Sequence, residues 1–430
     1  MRSPRILMIS THGYVAAQPE LGRPDTGGQV VYVREMSKAL AHCGFEVDIL
    51  TRRFEGQPAS EQVAKGVRIL RCAYGGNDFL PKEVLAQYVP QLLDAYFQDP
   101  HFQDKCYQLI SSHYWDAGVA GVKLAKRLGV PHVHTPHSMG LLKRQNRAWG
   151  DAGESTADHL TERIQQERVI YHRADLVLST AAEQTRCLSE CDEYNVPSQK
   201  VEQIPPGLDD HVFYQLKDSR RMAIKRDLGW DSPTVFSAGR LATSKGYDLL
   251  IQSFPAVVKR IPDATLVLAI GGVTRSREEN ELLVSLKNLA REVGVREHVR
   301  FTVCVDQQRL ADYYRAADVF VLGSRNEPFG MTAVEAMACG TPTIVSTRGG
   351  LWEELTWGHD CIYCDPQDTE ALSQAICSPL LHPRIRQQLS FNGSITARSR
   401  YTWKKVAHRF LTKCVNCGWI ASTTGVELTR

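Results

Sequence analysis

Hydrophobic positions along the chain fall into short, β-branched runs separated by longer stretches in which apolar residues recur every three to four positions. In the first half the runs cover 5–10, 46–51, 67–72, 107–112, 131–135, 175–180 and 201–204. Most are continuous rather than alternating, the pattern of strands buried on both faces of a parallel sheet. The stretches between them read as helices. Segment 29–43 puts Val30, Val33, Met36, Ala39 and Leu40 on one face and stops at Gly44; segment 116–128 stops at Gly129 in the same way. Pro205-Pro206-Gly207 and the polar stretch to Asp231 then read as a linker with one short helix.

Beyond the linker the alternation restarts. Strands are expected at 234–238, 265–270, 299–303, 319–322 and 343–346, and helices near 247–260, 277–293, 307–316, 331–339 and 368–377. Two further helices, 384–398 and 402–415, follow the second set. The expectation is an α/β fold of two Rossmann-like, doubly wound domains facing across a cleft: 1–208, and 209–430 with the terminal helices. In such sheets ligands bind beyond the carboxyl ends of the strands, so chemistry is sought in the loops that follow them.

Composition narrows the function classes. Of 430 residues, 43% are hydrophobic and 23% charged, which excludes a disordered or collagen-like chain. The 51 basic and 48 acidic residues nearly cancel, against a general nucleic-acid binder, which would carry a dominant basic surface. The apolar run 6–9 is too short for a signal-peptide core, and no stretch approaches the ~20 apolar residues of a membrane span. A cytoplasmic protein is expected. Twelve cysteines sit mostly in apolar segments, as free thiols do in a chain without an export signal. The pairs Cys361/Cys364 and Cys414/Cys417 lie too far apart in sequence, and the first too much within a strand, to favour a zinc site.

Four motifs stand at strand ends. Asp25-Thr26-Gly27-Gly28-Gln29 precedes a helix, where paired glycines and the helix dipole let backbone N–H groups approach an anion; an ordinary turn and N-cap reads equally well. No GxGxxG dinucleotide fingerprint is present. Ser237-Ala238-Gly239-Arg240 and Lys245-Gly246 place two cations on a loop entering a helix, suited to a diphosphate or, more simply, solvated. Glu327-Pro328-Phe329-Gly330-Met331-Thr332-Ala333-Val334-Glu335 sets two glutamates around the start of a helix. Glu335, among apolar neighbours, reads as an ionised carboxylate stabilised by the helix dipole and able to accept from vicinal hydroxyls, or as a cap; Glu327 reads as a sugar ligand or a loop carboxylate. Finally, His132, His134 and His137 tempt a metal assignment. Only the first two share a strand face and no acidic partner sits beside them, so one functional histidine, His137, is preferred.

Together these segments resemble the large retaining glycosyltransferase family that includes glycogen synthases, sucrose synthases and sucrose-phosphate synthases, whose members have the GT-B fold. The Glu327–Glu335 segment and the Gly239-Arg240…Lys245-Gly246 loop are that family's donor-site marks. His12-Gly13-Tyr14, Asp25-Thr26-Gly27-Gly28-Gln29, Ser112-His113-Tyr114-Trp115-Asp116-Ala117-Gly118 and Thr135-Pro136-His137-Ser138-Met139-Gly140 are similar to the sucrose-phosphate synthase and mannosylfructose-phosphate synthase branches.

The resemblance implies roles. Arg240 and Lys245 hold the donor diphosphate in place of a metal, Glu335 the ribose hydroxyls, and Glu327 the donor sugar. Phe329, Gly330, Met331 and Thr332 line the sugar and phosphate pocket, and His137 meets the hexose near the reacting carbon. Catalysis would rest on His137, Arg240, Lys245 and Glu327. Gly27, Gly28 and Gln29 approach the acceptor and the donor sugar. Tyr114, Ser138, Lys82, Lys143 and Arg163 take the acceptor, whose phosphate carries about two negative charges near neutral pH. The activity implied is glucosyl transfer with retention from UDP-glucose to fructose 6-phosphate, giving sucrose 6-phosphate and UDP without metal or resident cofactor. The alternatives are GDP-mannose as donor, a nucleotide-sugar epimerase, or a non-catalytic sugar-nucleotide sensor. Partners would be a sugar nucleotide, a sugar phosphate and a separate sucrose-phosphate phosphatase, the chain having no room for a phosphatase-like domain of its own; neither nucleic acid nor membrane is implied.

Overall fold

The computed structural model describes residues 3–18, 27–102, 106–145, 157–272, 275–303 and 307–421. They form two compact units. One comprises 3–145, 157–207 and 403–421; the other is Leu208–Thr402.

The first unit is built on an eight-stranded sheet. Its strands are β1 (Arg5–Ile9), β2 (Glu46–Arg53), β3 (Ser60–Ala64), β4 (Val67–Ala73), β5 (Leu109–His113), β6 (His132–Thr135), β7 (Leu176–Ser179) and β8 (Val201–Gln203), in the spatial order β3-β4-β2-β1-β5-β6-β7-β8. All neighbours are parallel except β3 and β4. Strand β3 was not expected. Its sequence Ser-Glu-Gln-Val-Ala is polar and partly exposed, as befits an edge strand that no helix covers. Elsewhere the continuous apolar runs do what a doubly covered parallel strand requires: Ile6, Leu7 and Ile9 of β1 and Leu109 and Ile110 of β5 are fully buried.

The second unit carries a six-stranded, wholly parallel sheet of β9 (Thr234–Gly239), β10 (Thr265–Ile270), β11 (Val299–Thr302), β12 (Val319–Leu322), β13 (Thr343–Ser346) and β14 (Ile362–Cys364), in the order β11-β10-β9-β12-β13-β14. Its core joins β9, β10 and β12 to the helix Tyr247–Arg260 through Val235, Leu268, Val321, Leu250 and Phe254. The helix Arg277–Glu292 starts with a capping box, Ser276 accepting from the Glu279 amide while Glu279 accepts from that of Ser276.

The last helix departs from the expected division. Trp403–Asn416 belongs to the first unit, not the second, and packs beside Gly28–His42. Trp403 is the reason: its indole meets Tyr32 edge-on at 5.3 Å and lies against Gly207, where an added Cβ would come within 2.5 Å of the ring. Chain order placed this helix with its sequence neighbours; buried aromatic surface returns it to the sheet on which the chain began. No helix among the described residues is long and apolar enough to cross a membrane.

Candidate functional site

In each sheet the strand order reverses at one point, between β1 and β5 in the first and between β9 and β12 in the second. Crevices at such switch points are where open α/β sheets take ligands. Gln29 marks the first. Its side-chain amide donates to Ser10 Oγ and to the His113 carbonyl, both at 3.2 Å, spanning the carboxyl ends of β1 and β5. Gly27 is the N-cap of this helix and supplies no side-chain cap; Gly27 and Gly28 are exposed. Asp25 and Thr26 of the same motif lie outside the described residues.

The histidines divide into two groups. His132 and His134, on β6, both reach the Ser112 hydroxyl, at 2.7 and 2.9 Å. They are buried, and burial pulls the His132 imidazolium down to about 3 and that of His134 well below its usual range. His137 leaves the strand in the left-handed conformation, φ +59°, and its Nε2 shares a proton with His113 Nδ1 across 3.0 Å. Burial first, then the neighbouring His113, His134 and His12, keep His137 neutral. Gln184 donates to the His137 carbonyl at 3.4 Å and Tyr32 packs edge-on to its ring at 4.9 Å. Among the described residues no group of three or more His, Cys, Asp or Glu side chains could hold a metal ion. The described cysteines are free thiols, and burial lifts those of Cys361, Cys364 and Cys414 to about 12.

Three of the residues assigned to the acceptor, Arg163, Tyr114 and Ser138, meet. The Arg163 guanidinium donates to the Tyr114 hydroxyl at 2.8 Å and to the Ser138 carbonyl and Oγ at 2.7 and 3.2 Å, and lies over the Tyr114 ring at 4.7 Å. Tyr114 holds this position with φ +75° at the end of β5. Tyr114 and Arg163 line a pocket with Glu83, Trp115, His159 and Glu162. Lys143 rides on the short helix Gly140–Gln145 that follows the His137 loop. Lys82 sits 3.9 Å from Glu83, after a loop fixed from below by Arg52. That buried cation donates to the carbonyls of Tyr74, Gly75, Gly76 and Asp78.

In the second unit the loops after β9 and β12 lock together. Lys245 pairs with Glu327 at 2.6 Å, and Ser324 Oγ donates to the same carboxylate oxygen at 3.3 Å. Arg325 forks onto Asp248 at 2.7 and 2.6 Å and donates to the Thr243 carbonyl at 3.1 Å, while its own amide donates to the Ser244 carbonyl at 2.8 Å. Arg240, on the same loop as Lys245, is exposed at the end of β9. Phe329 and Gly330 are buried, Met331 and Thr332 half-buried, and Gly330 caps the helix Met331–Ala338 without a side-chain cap, leaving its first amides for a ligand.

Glu335 requires a correction. Its position in the helix Met331–Ala338 suggested an ionised carboxylate held by the dipole. It is instead enclosed, and burial pushes its carboxyl up to about 8 despite a hydrogen bond donated by the Tyr314 hydroxyl at 3.0 Å. Desolvation outweighs the helix end, because the dipole acts on a single side chain with at most about 2 kcal/mol while burial in apolar surroundings can shift a carboxyl by several pH units. A protonated Glu335 can both donate to and accept from a diol.

The sequence reading gave no role to Glu167, His113, Gln184, Ser324 or Arg325. The Arg163/Glu167 pair had a local signal, opposite charges four apart on one helix; Ser324 reaches Glu327 within one loop, and His113, Gln184 and Arg325 are brought in by contacts between separate segments.

Comparison with known proteins agrees with this architecture. Residues 27–207 match the family described as Glycosyl transferase 4-like domain, and residues 220–395 the family Glycosyl transferases group 1. The chain is 43% identical over 414 residues to a mannosylfructose-phosphate synthase of Agrobacterium fabrum, covering 95% of this chain and 91% of that one. It is 33% identical over 421 residues to a D-inositol 3-phosphate glycosyltransferase of Xylanimonas cellulosilytica, covering 95% and 96%. Among solved structures, a sucrose-phosphate synthase from Thermosynechococcus elongatus superposes with a TM-score of 0.83 at 28% identity, covering 96% of this chain and all of that one. The chain therefore belongs to the group 1 glycosyltransferases, and its two parallel-sheet units are the two domains of a GT-B hexosyltransferase.

Proposed function

We propose that the protein transfers a hexosyl group from a nucleotide sugar to fructose 6-phosphate, with retention at the anomeric carbon, releasing a phosphorylated disaccharide and a nucleoside diphosphate. The observation that carries this reading is the convergence of Arg163, Tyr114 and Ser138 beyond β5 and β6, with Lys143 on the next helix. A guanidinium beside hydroxyls suits a phosphomonoester.

For the donor, Lys245, Glu327 and the uncapped start of Met331–Ala338 offer a cation, a hydroxyl acceptor and free amides. As the bond from the anomeric carbon to the diphosphate breaks, Lys245 and Arg240 would stabilise the charge on the departing oxygen. The acceptor oxygen then bonds to the same face of that carbon, its proton passing to a leaving phosphate oxygen. His137, neutral and fixed by His113, would hold the hexose during this step. The protein's own cations stand where a metal would otherwise serve, so no resident cofactor is required.

The motifs serve both donors considered from the sequence, UDP-glucose and GDP-mannose. The motifs do not separate them, and 43% identity to a mannosylfructose-phosphate synthase favours GDP-mannose. The epimerase reading finds no support. The test is product formation from fructose 6-phosphate with UDP-glucose, ADP-glucose and GDP-mannose in parallel, in excess chelator. A disaccharide phosphate from GDP-mannose or UDP-glucose is the expected result and names the donor. No product from any donor would remove fructose 6-phosphate as acceptor, and activity that chelator abolishes and metal restores would overturn the metal-free site.

A further inference from the structure

Glu167 is fully buried and three donors converge on its carboxylate. Oε1 accepts from Arg163 Nε at 2.7 Å and from the Gly140 amide at 3.1 Å. Oε2 accepts from the same amide at 2.9 Å and from the Tyr194 hydroxyl. Arg163 has five N–H groups. Nε–H is held by Glu167, the two on Nη2 reach Ser138, and one on Nη1 reaches Tyr114. The guanidinium is thus fixed along three edges with one Nη1 N–H left, and Glu167 is the only anion among these partners. The same carboxylate fixes the first amide of Gly140–Gln145, the helix that carries Lys143.

We propose that Glu167 is a positioning residue for the acceptor: it sets the placement of Arg163 and Lys143 relative to each other and so the geometry in which a sugar phosphate is held. This rests on the reading that Arg163 and Lys143 bind the acceptor phosphate. Glu167 touches no solvent, so it acts through these groups and not on the substrate. Only a carboxylate meets the requirement. A glutamine in its place offers one acceptor oxygen and a donating NH2, which would face an N–H or O–H donor on one side. With its oxygen at the Oε1 position it still accepts from Arg163 and Gly140, but its NH2 meets the Gly140 amide and the Tyr194 hydroxyl at the Oε2 position, and a cation that is nearly buried loses the charge that keeps its side chain in one rotamer.

The experiment compares steady-state kinetics of Glu167→Gln, Arg163→Lys and the double variant, with fructose 6-phosphate and whichever nucleotide sugar the wild type turns over. Glu167→Gln is expected to raise the KM for fructose 6-phosphate about 10-fold or more, the loss of one charge-assisted hydrogen bond, while kcat and the donor KM stay within about twofold. In the Arg163→Lys background the same change should add less than it does alone, because only the route through the Gly140 amide and Lys143 remains. An unchanged acceptor KM with only a lower Tm or active fraction would reduce Glu167 to a structural residue, and independent effects in the double variant would also overturn the proposal. If Arg163→Lys alone leaves the acceptor KM unchanged, the acceptor reading itself fails; a raised KM there with an indifferent Glu167→Gln sinks only the positioning role. Should Glu167→Gln not fold, Tyr194→Phe, which removes one donor from Oε2 without touching Arg163, is expected to raise the same KM about threefold, and an unaltered value counts against the proposal.

Discussion

Replacing Gly246 by alanine tests the geometry of the donor loops. Gly246 follows Lys245 with φ +67°, and an added Cβ would stand 2.1 Å from the Gly323 carbonyl oxygen, at the root of the loop that carries Ser324 and Glu327. Two costs combine. The left-handed backbone penalises any L side chain by about 1–2 kcal/mol. The overlap is with backbone, not with a flexible side-chain end, so one loop must move by roughly 1 Å, which adds about 1–3 kcal/mol by analogy with overpacked cores. Gly229→Ala is the matched control: the same unit, φ +64°, and nothing within 4 Å of the new Cβ. For a unit of this size ~1 kcal/mol moves Tm by about 2–4 °C. Calorimetry should therefore show a fall of about 2–8 °C for Gly229→Ala and about 4–20 °C for Gly246→Ala. The shift also opens the 2.6 Å Lys245–Glu327 pair. Because a 1 Å misplacement of reacting groups can lower rate about 100-fold, kcat/KM for the donor should drop at least ~10-fold in Gly246→Ala and not in the control. Equal Tm losses with unchanged kcat/KM in both variants would refute the argument.

Acid should destabilise the first unit early. The folded-state values of His113 and His132 lie at about 3 and those of His134 and His137 well below normal, all chiefly through burial. The unfolded chain takes up protons below pH ~6.5 that the folded chain refuses, so stability is full above ~6.5 and falls below it by up to ~1.4 kcal/mol per pH unit per histidine; a Tm constant from pH 7 to 5 would contradict this. Glu335 has the opposite sign. With its carboxyl raised to about 8, the folded chain keeps a proton that the unfolded chain releases above about pH 4.5. Glu335→Gln should thus raise Tm at pH 8 while leaving it unchanged near pH 5, and the same rise at both values would contradict the burial argument. Lys143→Met should raise the KM for fructose 6-phosphate about 10-fold or more, the order expected for a lost charged contact, with little effect on the donor; equal effects on both substrates would move Lys143 out of the acceptor site.

Much of this was legible in the chain. The two alternations of apolar runs and helical periods produced every strand of both sheets save the polar edge strand Ser60–Ala64 and the short Ile362–Cys364, which was read as strand only in weighing the Cys361/Cys364 pair. The strand-end motifs picked out Lys245 and Glu327, which the structure joins, and the family resemblance implied Arg163, Tyr114 and Ser138, which it brings into one cluster. Lys82 lies 3.9 Å from Glu83, Lys143 rides on the helix Gly140–Gln145, and Arg240 is exposed at the end of β9. Glu167 stands one helical turn from Arg163, and an i,i+4 ion pair usually lies on a solvated face, whereas this one is buried.

What the sequence determined by itself is whatever follows from local periodicity and residue chemistry: the strands and helices, the restart after Gly207, and the types of group at the strand ends, with the family read from the resemblance of its motifs. What only the tertiary structure decided is whatever depends on surroundings assembled from distant segments. The return of Trp403–Asn416 to the first unit rests on aromatic contacts with Tyr32 and Gly207. The carboxyl state of Glu335 is set by desolvation inside a packed core, not by its place on a helix. The anchoring of Arg163 depends on Glu167, Tyr114 and Ser138, which reach it from a helix and two strand ends. Burial and convergence are properties of three-dimensional neighbours, and a linear pattern carries no record of them.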